Sequence, residues 1–101
     1  MHFIVHALDK PGALQRRLEV IDAHRAYLAE ARPKHGAKIL MSGPLIDDET
    51  KEMKGSFFLI EAPKREDIEA LFENDPLANA DVWDDLAVTA FHMRTSVLEA
   101  Q

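Results

Sequence analysis

Between Gly12 and Pro33 the chain runs for twenty residues without a glycine or a proline. Strands of that length are rare, and structureless loops of that length inside a compact domain are rarer. The segment is therefore read as a helix, from Ala13 to about Arg32. Leu14, Leu18, Ile21 and Leu28 recur at helical spacing and form one stripe, widened by Val20, Tyr27 and Ala31. Pro11 is placed to start the helix, Pro33 to stop it, and Gly36 to complete the exit.

The remaining elements follow from shorter patterns. Residues 2 to 8 are apolar and brief, which suits a strand, and Lys38 to Ser42 reads as a second one ended by Gly43-Pro44. The polar segment from Asp47 to Glu52 reads as an exposed loop. Gly55 to Ala62 is the clearest strand, stopped by Pro63. A second helix is expected from about Lys64 to Glu73, with Ile68, Leu71 and Phe72 inward, closed by Asn74-Asp75-Pro76. A last strand is expected from about Leu86 to Arg94. The order β-α-β-β-α-β specifies an α+β fold of the split βαβ, ferredoxin-like type, an antiparallel sheet with helices on one face. The strands are apolar on both sides: Phe57 and Leu59 alternate with Phe58 and Ile60, and Leu86, Val88 and Ala90 with Ala87, Thr89 and Phe91. Two helices cover one face, so the other predicts a partner, most simply a second copy of the chain in a homodimer.

Length and charge narrow the function classes. The 101 residues suit one domain spanning 1–101. Eighteen acidic against twelve basic residues leave a net charge of −6. Arg16-Arg17, Arg25 and Arg32 are too sparse a set to neutralise a nucleic-acid backbone, so that partner is excluded. No cysteine is present, which removes disulfides, thiolate metal sites and a cysteine nucleophile and is compatible with a cytoplasmic location. The N-terminus lacks the pattern of a signal peptide, and no apolar run is long enough to span a bilayer, so a soluble protein without membrane association is expected.

Four stretches together resemble the YCII-related family: Arg17 through Leu28, Met41-Ser42-Gly43-Pro44, Gly55-Ser56, and Asn74-Asp75-Pro76-Leu77. Each is short, and their order and spacing carry the resemblance over nearly the whole chain. It implies a ferredoxin-like fold that pairs into a dimeric α+β barrel. It also implies a cleft holding a histidine of the first helix and the aspartate of the Asp-Pro motif, which match His24 and Asp75. Members with an assigned role act on small cyclic or aromatic compounds, including dehydrochlorination of a hydroxyquinol. Two features depart from the family pattern. Leu77 stands where an aromatic residue is usual, which bears on the pocket wall, and Ala37-Lys38-Ile39 stands where a shorter glycine-leucine turn is common.

The residues themselves support two readings. His24 falls in the middle of the apolar arc of the first helix, and Arg17, seven residues earlier, shares its stripe. Either a polar pocket receives them, or His24 is a core histidine bonded to a carbonyl while Arg17 extends to water. A histidine can move a proton near neutral pH, and a carboxylate such as Asp75 can fix its tautomer. Asn-Asp-Pro is equally ordinary helix-ending chemistry. Ser42 and Ser56 lie at strand ends beside Gly43 and Gly55. No nucleophile-elbow pattern surrounds them, so Ser56 reads better as a hydrogen-bond donor to a ligand than as a nucleophile, and the glycines as points of close approach or unusual dihedrals. His2 and His6 share a strand face but stand about 13 Å apart, too far to chelate one ion, so no metal is expected. His35 and His92 are isolated, and Trp83 and Tyr27 read as packing residues or pocket lining. No Gly-rich phosphate loop suggests an organic cofactor.

The expected function is therefore a lyase- or isomerase-type reaction on a small cyclic or aromatic molecule. His24 and Asp75 would be catalytic, and Arg17, Ser42, Gly43 and Ser56 would bind ligand, with Arg17 offsetting negative charge. The alternative is a non-catalytic dimeric module that binds a small ligand or a partner protein.

Overall fold

A computed structural model describes residues 1–97, with the backbone alone for 31–35. The expected roles of Ala31, Arg32 and His35 rest on side chains outside the described residues. The elements are β1 (His2–Leu8), α1 (Leu14–His35), β2 (Lys38–Ile46), β3 (Met53–Glu61), α2 (Arg65–Glu73), α3 (Pro76–Asn79) and β4 (Ala87–Phe91). The four strands form one sheet in the order β2-β3-β1-β4, every neighbouring pair antiparallel. This is the split βαβ arrangement, with the helices on one face.

Register and burial assign the two faces. Phe3, Val5 and Ala7 of β1 are buried, as are Ser56, Phe58 and Ile60 of β3, and these point toward the helices. Ile68, Leu71 and Phe72 of α2, Leu77 of α3, and Val82 and Trp83 complete the core. On the other face lie Ile4, His6 and Leu8, with Phe57 paired to His6 and Leu59 to Ile4. Among the described residues no element packs over them, and Leu8 is 59% exposed.

The first helix differs from its sequence reading in two ways. It begins at Leu14, after a turn in which Gly12 takes φ 75°, and it continues past Pro33 to end at Gly36, where φ is 69°. The left-handed Gly36 is the true stop: the helix runs through Pro33, which lacks the amide that would bond back to the Ala29 carbonyl, and ends three residues later. Leu18 is exposed rather than part of the inner stripe. The buried line runs through Arg17, His24 and Leu28, and Leu18 lies about 120° around the helix from His24. The polar residues thus occupy the centre of the sheet-facing surface.

Gly43-Pro44 does not end β2, which runs on to Ile46. β2 is an edge strand, and proline is tolerated there because an outward-facing amide has no ladder partner to lose. Pro44 pairs with Ser56, and Gly43 with Phe57. Gly55 is a point of close approach: a Cβ there would stand 2.5 Å from the Ala7 carbonyl oxygen. Gly43 is not one, since nothing lies within 4 Å of where its Cβ would be. The hairpin between β2 and β3 closes through Asp47, whose carboxylate accepts from the amides of Glu49 and Thr50 at 2.9 and 3.0 Å. β4 is shorter than expected, ending at Phe91.

Asn74-Asp75-Pro76 closes α2 and also opens α3. Asp75 is extended, its side chain accepts from the Leu77 amide, and Pro76 takes the first helical position. Leu77 is fully buried in the core and does not line the cavity described below.

Candidate functional site

A cavity of about 400 Å³ opens between α1 and the β2–β3 edge of the sheet, within the range that holds a small molecule. Ile21, Leu28, Ile39 and Phe58 supply apolar wall, Arg17, His24 and Ser56 supply polar groups, and Ser42, Gly43 and Pro44 form an exposed rim. Arg25 also lines it; its side chain is 67% exposed and lies 3.3 Å from Asp22.

His24 is buried, and its Nδ1 lies 2.8 Å from each carboxylate oxygen of Asp75, which is completely buried. Asp75 reaches this position because its backbone leaves α2 and its amide donates to the Phe72 carbonyl. One oxygen also accepts from the Leu77 amide at 2.8 Å, so the cap of α3 fixes the carboxylate. A carboxylate can only accept, so Nδ1 is the ring's donor to Asp75, and in the neutral ring that leaves Nε2 as the acceptor. The ring stands edge-on to Phe58 and Trp83, with centroids 6.0 and 6.1 Å away. Nearby, the Tyr27 hydroxyl donates to the Leu71 carbonyl at 2.6 Å. Burial, and then the Asp75 and Glu73 carboxylates, hold that phenol above its ordinary range.

Arg17 does not extend to water; it is 1% exposed. Its Nε and Nη2 donate to Asp9 at 2.7 and 2.9 Å, a bidentate buried pair, and Nη2 also donates to Ser56 Oγ at 2.6 Å. The charge assigned to Arg17 from sequence is therefore met by Asp9. Asp9 is held where β1 ends: its amide donates to the Lys54 carbonyl, and it pairs across to Trp83. Trp83 Nε1 in turn donates to Ser56 Oγ at 3.1 Å.

His24, Arg17 and Ser56 are thus brought to one cavity, with Asp75 directly behind His24. Ser42 and Gly43 reach it at the rim. Two residues of the cluster escaped sequence reasoning as site residues. Asp9 precedes Pro11-Gly12 in what reads from sequence as a plain turn, and the one available signal was a carboxylate at a strand end. Trp83, weighed as packing or lining, serves as a hydrogen-bond donor. Among the described residues, no group of three or more histidine, aspartate or glutamate side chains is arranged to hold a metal ion, and no helix is long and apolar enough to cross a membrane.

The chain and its fold have relatives. The structure matches the 5-chloro-2-hydroxyhydroquinone dehydrochlorinase of Burkholderia phenoliruptrix, solved in complex with 2,5-dihydroxybenzoquinone. The TM-score is 0.80 at 32% identity, over 91% of this chain and 94% of that one. A structure from Pseudomonas aeruginosa, 12% identical over 93% of each chain with a TM-score of 0.53, shares the fold alone. An uncharacterised protein of Haemophilus influenzae is 28% identical over 94 residues, 90% of this chain and 96% of its own. The family model of the YCII-related domain matches residues 1–92, and the chain belongs to that family.

Proposed function

We propose that this protein is a small-molecule enzyme of lyase type. In this reading His24 moves a proton on a small hydroxylated cyclic or aromatic substrate and Asp75 holds its ring. The observation that carries the reading is the His24–Asp75 contact at 2.8 Å, at the wall of a cavity of suitable size. The similarity to a dehydrochlorinase solved with a dihydroxybenzoquinone supports that substrate class. The chemistry is an elimination. Nε2 of His24 takes a proton from a ring hydroxyl of the keto tautomer, in which the carbon bearing the leaving group X is tetrahedral. The electron pair left on oxygen forms a carbonyl as the ring double bond shifts toward that carbon. The leaving group departs as an anion with its bonding pair, so H–X is lost and no oxidant is needed. The imidazolium formed at His24 lies against the Asp75 carboxylate throughout.

The open sheet face, with Ile4, Phe57 and Leu59 half-buried and Leu8 exposed, supports pairing with a second copy. The homodimer belongs to the same proposal.

Chloride release from 5-chloro-2-hydroxyhydroquinone is the direct test. The wild type is expected to release chloride, and His24→Ala and Asp75→Asn to slow it, the former by roughly 10²- to 10⁴-fold. A wild type that binds 2,5-dihydroxybenzoquinone but turns over no halogenated hydroxyaromatic would overturn catalysis and favour a binding module.

A further inference from the structure

The cavity holds a second polar pole that the proton-transfer step does not use. Ser56 is 3% exposed, and its oxygen accepts from two groups that can only donate, Arg17 Nη2 at 2.6 Å and Trp83 Nε1 at 3.1 Å. A hydroxyl has two lone pairs and one proton. With both lone pairs occupied, Ser56 can only donate, and among the described residues no acceptor meets its proton. It is also a poor nucleophile for the same reason. Ser56 lines the cavity, as does His24, whose Nε2 can only accept while Nδ1 serves Asp75. Trp83 joins the two poles, standing 6.1 Å from the His24 ring and bonded to Ser56.

We infer that Ser56 is the donor that receives a second oxygen of the substrate, positioned by Arg17 and Trp83 and, behind Arg17, by Asp9. A ligand that fits both poles carries an acidic hydrogen toward His24 and a carbonyl or oxyanion toward Ser56. The Asp9–Arg17 pair is neutral as a whole, so this pole offers fixed dipoles more than net charge. That suits a neutral carbonyl that gains negative charge as the proton leaves. The inference rests on the proposed function for the direction of proton flow, whereas the donor-only state of Ser56 follows from its contacts.

The test compares two probes by NMR titration: 2,5-dihydroxybenzoquinone, which offers both functions, and phenol, which offers one hydroxyl. Ser56→Ala is expected to weaken quinone binding at least about tenfold and leave phenol within about twofold. Asp9→Asn and Trp83→Phe are expected to lower the same quinone-to-phenol preference by smaller factors. A merely structural role would lower thermal stability without moving that preference. Should Ser56→Ala fail to fold, Ser56→Cys keeps the shape with a much weaker donor, and the same loss of preference is expected. An unchanged preference in the folded serine variant, with His24→Ala weakening both probes, overturns the inference and leaves the proposed function standing. If His24→Ala releases chloride from 5-chloro-2-hydroxyhydroquinone as fast as the wild type does, the proposed function falls, while a lost preference in Ser56→Ala still upholds the donor. A wild type that binds the two probes without preference overturns the inference.

Discussion

Arg17 is the residue whose loss the fold would feel most sharply. Its guanidinium is the charge partner of Asp9, whose side chain is 7% exposed, and it also donates to Ser56. Removing one partner of such a pair leaves a buried charge uncompensated, which costs about 3–5 kcal/mol. Arg17→Met is expected to lower the urea midpoint of unfolding accordingly. The double variant Arg17→Met/Asp9→Leu removes both charges and should recover much of that stability, yet it should not recover the quinone preference. Recovery of both would mean that the pair does nothing for the site. Asp75 carries a comparable burden, because a single carboxylate holds the His24 ring and caps α3 at once.

At the scale of elements, the β2–β3 hairpin turns on Asp47. The amides of Thr50 and then Glu49 donate to its carboxylate and hold it below the ordinary aspartate range. The folded turn thus favours the ionised form. Its contribution is fully present above the unfolded value, about 3.9, and is lost as pH falls through the lower folded value. A carboxyl-carbon NMR titration should place the Asp47 midpoint below that of a short peptide. Asp47→Ala should destabilise the hairpin at neutral pH and make no difference once the wild-type carboxylate is protonated. The cavity has a stake in this, since Pro44 and Met53, on the strands this turn joins, line it.

For the whole molecule the open face of the sheet is decisive. Ile4, His6, Leu8, Phe57 and Leu59 share that face, with no helix among the described residues to cover them. If two copies pair there, Phe57→Glu, which sets a charge in the middle of the face, should convert a dimer to a monomer in analytical ultracentrifugation. A wild type that sediments as a monomer at micromolar concentration would remove the dimer from the proposal. The cavity is walled by α1, β2 and β3 of one chain, so His24 and Asp75 should keep their contact in a Phe57→Glu monomer. The Nδ1–H tautomer, read from imidazole nitrogen shifts, would report it.

The sequence by itself determined the order of the four strands and the two long helices and, through it, the sheet, but not the short α3. Twenty residues without glycine or proline, with apolar residues at helical spacing, favour a helix, and alternating apolar strands leave few topologies for two helices and four strands. It also marked His24 and Arg17 as out of place on a core-facing surface, a local contradiction that periodicity alone exposes. Element ends were less legible: Pro44 and Pro33 are breakers by propensity, but an edge strand and a last helical turn tolerate them. Contacts between distant residues were not legible in the local pattern; only the family resemblance pointed to His24 and Asp75 in one cleft. Asp75 reaches His24 across 51 positions, and Ser56 reaches Arg17 across 39. Only the packed chain sets those distances, because an aspartate before a proline has the same local chemistry whether it caps a short helix, holds a histidine, or does both.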